Sequence, residues 1–94
     1  MLKNPKAKGN RQERKAQKSL EKVGYYCIKA GASLGVFDLI ALGKKEARLI
    51  QVKSNYCRPE EKEAIEQFKA PDYAVKELWI YKDRIENPII KIIK

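Results

Sequence analysis

Apolar residues recur along this chain in two rhythms. Between about Gly9 and Val23, the residues Ala16, Leu20 and Val23 fall at helical spacing with lysines elsewhere, which predicts a helix with an inward stripe. The run "GYYCIKA" predicts a strand, and "GASLG" a flexible loop. "GVFDLIALGKKEARLIQVK" (Gly35–Lys53) predicts two strands folded into a hairpin around residues 43–46. "CRPEEKEAIEQFKAPD" carries helix punctuation. Pro59 stands near its first turn, Glu60, Glu61 and Glu63 complement the dipole, Ile65 and Phe68 face inward, and Pro71 ends it. "KELWIYKD" and "PIIKIIK" predict two last strands joined around Asn87-Pro88. Helix, three strands, helix, two strands makes an α/β chain, read as one domain over residues 1–94 with residues 1–7 as a basic, mobile lead-in.

The hairpin breaks the apolar pattern in three places. Residues two apart in a strand share a face, so Gln51 and Lys53 lie with Leu49, opposite Ile50 and Val52. With a loop at 43–46, Leu42 opposes Ala47 and Asp38 falls across from Gln51. Directly opposed Cβ atoms are about 4.5–5.5 Å apart. Asp38, Gln51 and Lys53 are therefore expected as one cluster at the end of the sheet away from the turn. Phe37, Leu39, Ile50 and Val52 are expected together on the other face, under a helix. Glu13 precedes Ala16 by three residues and Leu20 by seven, so it shares their stripe and reaches toward the same sheet end. Each residue also has a plain reading. Glu13 can support a helix start and pair with Arg14 or Lys15, Asp38 can sit at a turn or edge, and Lys53 can extend to water. Convergence of four polar groups from two elements favours a site.

Charge narrows its chemistry. Lys and Arg number 21 against 12 Asp and Glu, a formal net charge of +9, which draws nucleic acid or anionic membrane. Residues 1–24 hold eight of the cations against Glu13 and Glu21, so the excess is concentrated there. No apolar run reaches membrane-span length and no signal-peptide pattern is evident, so a cytoplasmic location is expected. Cys27 and Cys57 lack metal-type spacing and read as free thiols. Histidine is absent, which excludes His-based nucleases, His-dependent triads and the usual zinc sites. Carboxylates and an amide oxygen suit Mg²⁺, which prefers hard oxygen ligands and keeps several waters. A lysine beside such a site orients water and offsets phosphate charge. Beside a basic surface, this predicts phosphodiester hydrolysis.

Three segments, in order, carry a resemblance: "KGNRQER" (Lys8–Arg14), "AGASLGVFDLIA" (Ala30–Ala41) and "LIQVKS" (Leu49–Ser54). With them the chain resembles the PD-(D/E)xK nuclease superfamily, and within it the archaeal-type Holliday junction resolvases. The resemblance implies a restriction-endonuclease-like core, a central mixed sheet flanked by helices. It implies Glu13, Asp38, Gln51 and Lys53 as the catalytic set, with Ser33 as an accessory. Asp38, Gln51 and the Val52 backbone carbonyl would hold Mg²⁺ (or Mn²⁺), with Glu13 as a further candidate ligand, and Lys53 would position the attacking water. Lys8, Arg11, Arg14 and Lys15 would contact DNA phosphates. Gln51 stands where a carboxylate is usual, and Phe37 where proline is.

The expected function is metal-dependent endonucleolytic cleavage of branched DNA, of the junction-resolvase kind. A phage, homing or repair endonuclease on another DNA, or a non-catalytic nucleic-acid-binding module on a nuclease fold, are the alternatives. Two opposed cuts imply a homodimer. The terminal strand supplies a surface, because Ile89, Ile90, Ile92 and Ile93 make both its faces apolar. Trp79 and Tyr81 share a face of the preceding strand and either join that patch or pack in the core.

Overall fold

A computed structural model of the chain describes residues 5–30 and 36–93, with side chains from residue 11 onward. Helix α1 spans Pro5–Lys22, so residues 5–7 of the expected lead-in form its first turn. Proline suits the first helical position, and the Lys, Ala, Arg and Gln that follow are good helix formers. The helix stops at Gly24, whose φ of 100° only glycine adopts freely, and the Tyr25 N–H turns back to the Leu20 carbonyl at 3.1 Å. Val23 therefore leaves the predicted stripe and is 71% exposed.

Five strands follow: β1 (Tyr26–Lys29), β2 (Leu39–Leu42), β3 (Ala47–Ser54), β4 (Ala74–Tyr81) and β5 (Ile89–Ile93), with α2 (Pro59–Gln67) between β3 and β4. They form one sheet in sequence order. All neighbours are antiparallel except β3 and β4, which are parallel because α2 crosses between them. Leu42 opposes Ala47 and Leu39 opposes Ile50, the register expected from a loop at 43–46. A Cβ at Gly43 would lie 2.8 Å from the Tyr25 ring, so a larger residue in that turn must displace the ring, whose hydroxyl donates to Glu46 Oε1 at 2.8 Å.

The sheet is covered on both faces. Ala16 and Leu20 of α1 pack against Leu39, Ala41, Ile50, Val52, Trp79 and Tyr81. On the α2 side Ile65 packs with Phe37, Leu78, Ile80 and Ile93. Phe37 thus lies on the opposite face from the one predicted. The ladder's last main-chain bond on this side runs from Asp38 N to Ile50 O, and beyond it the Asp38 carboxylate accepts the Val52 N–H. Chain alternation ends there, and Phe37 turns toward α2, its ring edge-on to Phe68 at 5.1 Å. Trp79 and Tyr81 are core residues, not part of an exposed patch.

Two polar devices hold this frame. Lys76 Nζ donates to the carbonyls of Ile65, Glu66 and Phe68 at 2.9–3.0 Å, which satisfies the C-terminal end of α2 from β4. Arg48 of β3 and Glu77 of β4 form a two-bonded pair at 2.6 Å with Glu77 only 2% exposed, and Trp79 Nε1 donates to the same carboxylate. The opposite outcome holds at the edge strand β5. Ile93 is buried, while Ile89, Ile90 and Ile92 remain exposed. Cys27 and Cys57 are free thiols.

Candidate active site

Asp38 sits where β2 begins and the chain leaves the sheet. Its Oδ2 accepts two hydrogen bonds, from Val52 N at 2.8 Å and from Gln51 Nε2 at 3.1 Å. The pairing follows from register. Strand β3 outlasts β2 at this end, so the Val52 N–H has lost its main-chain partner and takes a side-chain one. Burial is the main cause that raises the Asp38 pKa. The Val52 N–H and the Lys53 charge oppose it, and Glu61 adds to it.

Lys53, two residues on along the same face, is ion-paired with Glu61 in the first turn of α2. That contact, foremost, lowers the Glu61 pKa. Glu61 also accepts from Arg58 N at 3.2 Å in a capping box, so the start of α2 and the end of β3 are tied through one carboxylate. Sequence spacing did not point to Glu61 as a site residue. Its helix-start signature was visible, but its partner across the crossover was not.

Glu13 is half-buried on α1. Burial first, then the charge of Asp38, raises its pKa, with Lys29 opposing. The helix and hairpin carboxylates are thus close enough to interact, although no hydrogen bond joins them among the described residues. On the preceding position of α1, Gln12 Oε1 accepts a hydrogen bond from Ser54 Oγ, which docks the helix on the end of β3. An open cleft of about 460 Å³ lies beside the cluster, lined by Gln12, Val52, Lys53, Tyr56, Arg58 and Glu61. Arg11, Arg14 and Lys15 are exposed on α1. Ser33 and the Lys8 side chain lie outside the described residues.

The donor set suits a hard divalent cation held by few protein ligands. Both described hydrogen bonds to Asp38 fall on Oδ2 and none on Oδ1. No group of three or more carboxylate, thiol or imidazole side chains with metal-binding geometry occurs among the described residues. One carboxylate oxygen, the Gln51 amide and a main-chain carbonyl therefore remain, with Glu13 near. As placed, Gln51 turns its NH₂ toward the carboxylate. A half-turn of the amide would bring its oxygen there instead, an arrangement that is repulsive unless a cation lies between the two oxygens.

A mixed five-stranded sheet between two helices, with its polar cluster at the shared end of β2 and β3, is a restriction-endonuclease-like core, the fold that the sequence resemblance implies. Among solved structures the chain is similar to Hjc, a Holliday junction resolvase from the archaeal hyperthermophile Archaeoglobus fulgidus. The TM-score is 0.70 over 92% of this chain and 71% of that one, at 23% identity. The likeness is one of fold. No family model matches the sequence, and no curated protein matches it either.

Proposed function

We propose that the chain is a Mg²⁺-dependent endonuclease that hydrolyses phosphodiester bonds in branched DNA, a junction-resolvase-like enzyme working in the cytoplasm. The observation that carries this reading is the Asp38–Gln51–Val52 contact placed beside Lys53 at one end of the sheet, next to a basic helix. Asp38, Gln51 and the Val52 carbonyl would hold the metal, with Glu13 as the further ligand candidate. Bound there, Mg²⁺ (or Mn²⁺) lowers the pKa of water and polarises the phosphoryl group. Lys53 leaves Glu61 to orient the attacking water and to offset phosphate charge. Arg11, Arg14 and Lys15, with Lys8, hold the DNA backbone. Cleavage of four-way, duplex and single-stranded DNA, with Mg²⁺ and with chelator, tests the proposal. Metal-dependent cutting that favours the junction is expected, and binding without cutting would leave only a nucleic-acid-binding module.

Gln51 offers a test independent of turnover. Gln51→Glu sets a second carboxylate against Asp38, so in chelator the variant is expected to melt below the wild type. Added Mg²⁺ should restore the loss, and half-maximal cleavage should need less metal, because ligand charge raises affinity for hard cations. An unchanged metal titration would mean that Gln51 is not a ligand.

Two opposed cuts on a junction need two sites, and each chain has one. A homodimer through β5 fits this, because Ile89, Ile90 and Ile92 are exposed on an unpaired edge strand. Sedimentation at micromolar concentration should show a dimer that Ile90→Lys with Ile92→Lys dissociates. A wild-type monomer there would favour a nicking enzyme.

A further inference from the structure

A second open cleft, of about 420 Å³, lies across Gln12 from the first. Gln12 lines both, and its bond from Ser54 forms the partition. Arg11 and Lys15 come to this cleft from α1, and Lys82 and Arg84 from the turn after β4. These four cations outnumber Asp83 and Glu86 on the same wall. Lys15 Nζ lies 5.3 Å from the centre of the Tyr81 ring, which seats the ammonium over the cleft.

The turn is tied to the strand that carries Lys53. Asn55, the residue after β3, donates its N–H to Tyr81 O at 2.8 Å and accepts the Asp83 N–H on Oδ1 at 2.9 Å. Asn55 takes a φ of 62°, an αL conformation that asparagine tolerates. Arg84 takes a φ of 66°, where an arginine is strained and a glycine would not be. A guanidinium is thus kept at a backbone position that favours glycine, on the wall of a basic cleft, at a spacing from Lys53 fixed by Asn55.

We propose that this second cleft binds a phosphate of the nucleic-acid backbone next to the cleavage site, with Lys82 and Arg84 as its contacts from the β4–β5 turn. A strand lying over Lys53 continues across the Gln12–Ser54 partition into the second cleft, so the turn sets which bond reaches the metal-binding residues. The inference rests on the nuclease reading for what lies in the first cleft, but its test reads binding separately.

Affinity of the full chain for a synthetic four-way DNA junction, and for a linear duplex of equal length, is measured against NaCl in chelator. Lys82→Ala with Arg84→Gly is expected to weaken binding about ten-fold and to reduce the log–log salt slope by about 1–2, the loss of one or two phosphate contacts. Arg84→Gly alone should weaken binding while its thermal midpoint holds or rises, since the strain at φ 66° is relieved. Opposite directions separate contact from folding. Lys44→Ala with Lys45→Ala, an equal charge change on the exposed turn at the other end of the hairpin, should alter the slope less. Affinity and slope unchanged by the Lys82/Arg84 substitutions, or changed no more than by the Lys44/Lys45 pair, would overturn the proposal. A wild-type chain that binds no DNA would overturn it too. Binding lost as expected in a chain that never cleaves would uphold the cleft and remove only the nuclease reading.

Discussion

Lys53→Ala and Asp38→Ala are each expected to reduce DNA cleavage by about 10³-fold or more while the fold survives. Removal of one preorganised charge-stabilising group alone costs about 10²–10³ in rate, and these two residues also orient water and hold the metal. The fold tolerates the first change because Lys53 and Glu61 are both partly exposed, a pair of the kind worth about 0–1 kcal/mol. DNA binding by Asp38→Ala should persist or tighten, because a negative charge leaves a phosphate site. Full cleavage by either variant would remove that residue from the mechanism.

Asp38→Asn adds a stability readout with a defined sign. Burial raises the Asp38 pKa above its ordinary 3.8, so the folded state binds a proton more readily than the unfolded chain. The ionised carboxylate therefore costs stability at pH values above its folded-state pKa, and that cost fades as pH falls and is gone below 3.8. An asparagine still accepts the Val52 N–H. At pH 7 the variant should therefore be the more stable of the two. The gap should close on acidification, as followed by urea unfolding at several pH values. A gap that widens toward pH 4 would contradict burial as the cause.

The largest effect on stability is expected at the other end of the sheet. Arg48→Met leaves Glu77, 2% exposed, without its cation, and breaking a buried pair from one side costs about 3–5 kcal/mol. For a domain of this length, with total stability of order 5–14 kcal/mol, that is a severe loss. The Tyr25 and Trp79 rings, 5.2 and 5.6 Å from the guanidinium carbon, lose their cation as well. Glu77→Gln should cost less. Its amide oxygen can still accept from Trp79 Nε1 or from Arg48, and the charge left without a counter-ion is the guanidinium, which at 18% exposure keeps access to water. Urea midpoints of the two variants check the order, and a milder effect of Arg48→Met than of Glu77→Gln would refute it.

Much of the hairpin was legible from residue order alone. Strand alternation has a period of two and the loop at 43–46 is short, so Leu42 had to oppose Ala47 and Asp38 had to approach Gln51. The stripe of Ala16 and Leu20 was legible for the same reason, as was the start of α2 from Pro59 and its glutamates. Phe37 was misplaced because alternation holds only while the ladder does, and the Asp38 side chain ends the ladder there. Val23 was misplaced because Gly24 stops the helix first.

Contacts within one helix or one hairpin were therefore determined by the sequence itself, since local geometry leaves a single register. Everything across the β3–α2–β4 crossover was decided by the tertiary structure. The parallel pairing of β3 with β4 sets Arg48 beside Glu77, 29 residues away. The docking of α2 hands Glu61 to Lys53, and the tie from Asn55 to Asp83 swings Lys82 and Arg84 beside Arg11 and Lys15. No periodicity encodes these meetings, because a parallel register depends on how the crossover helix packs on the sheet and not on spacing along the chain.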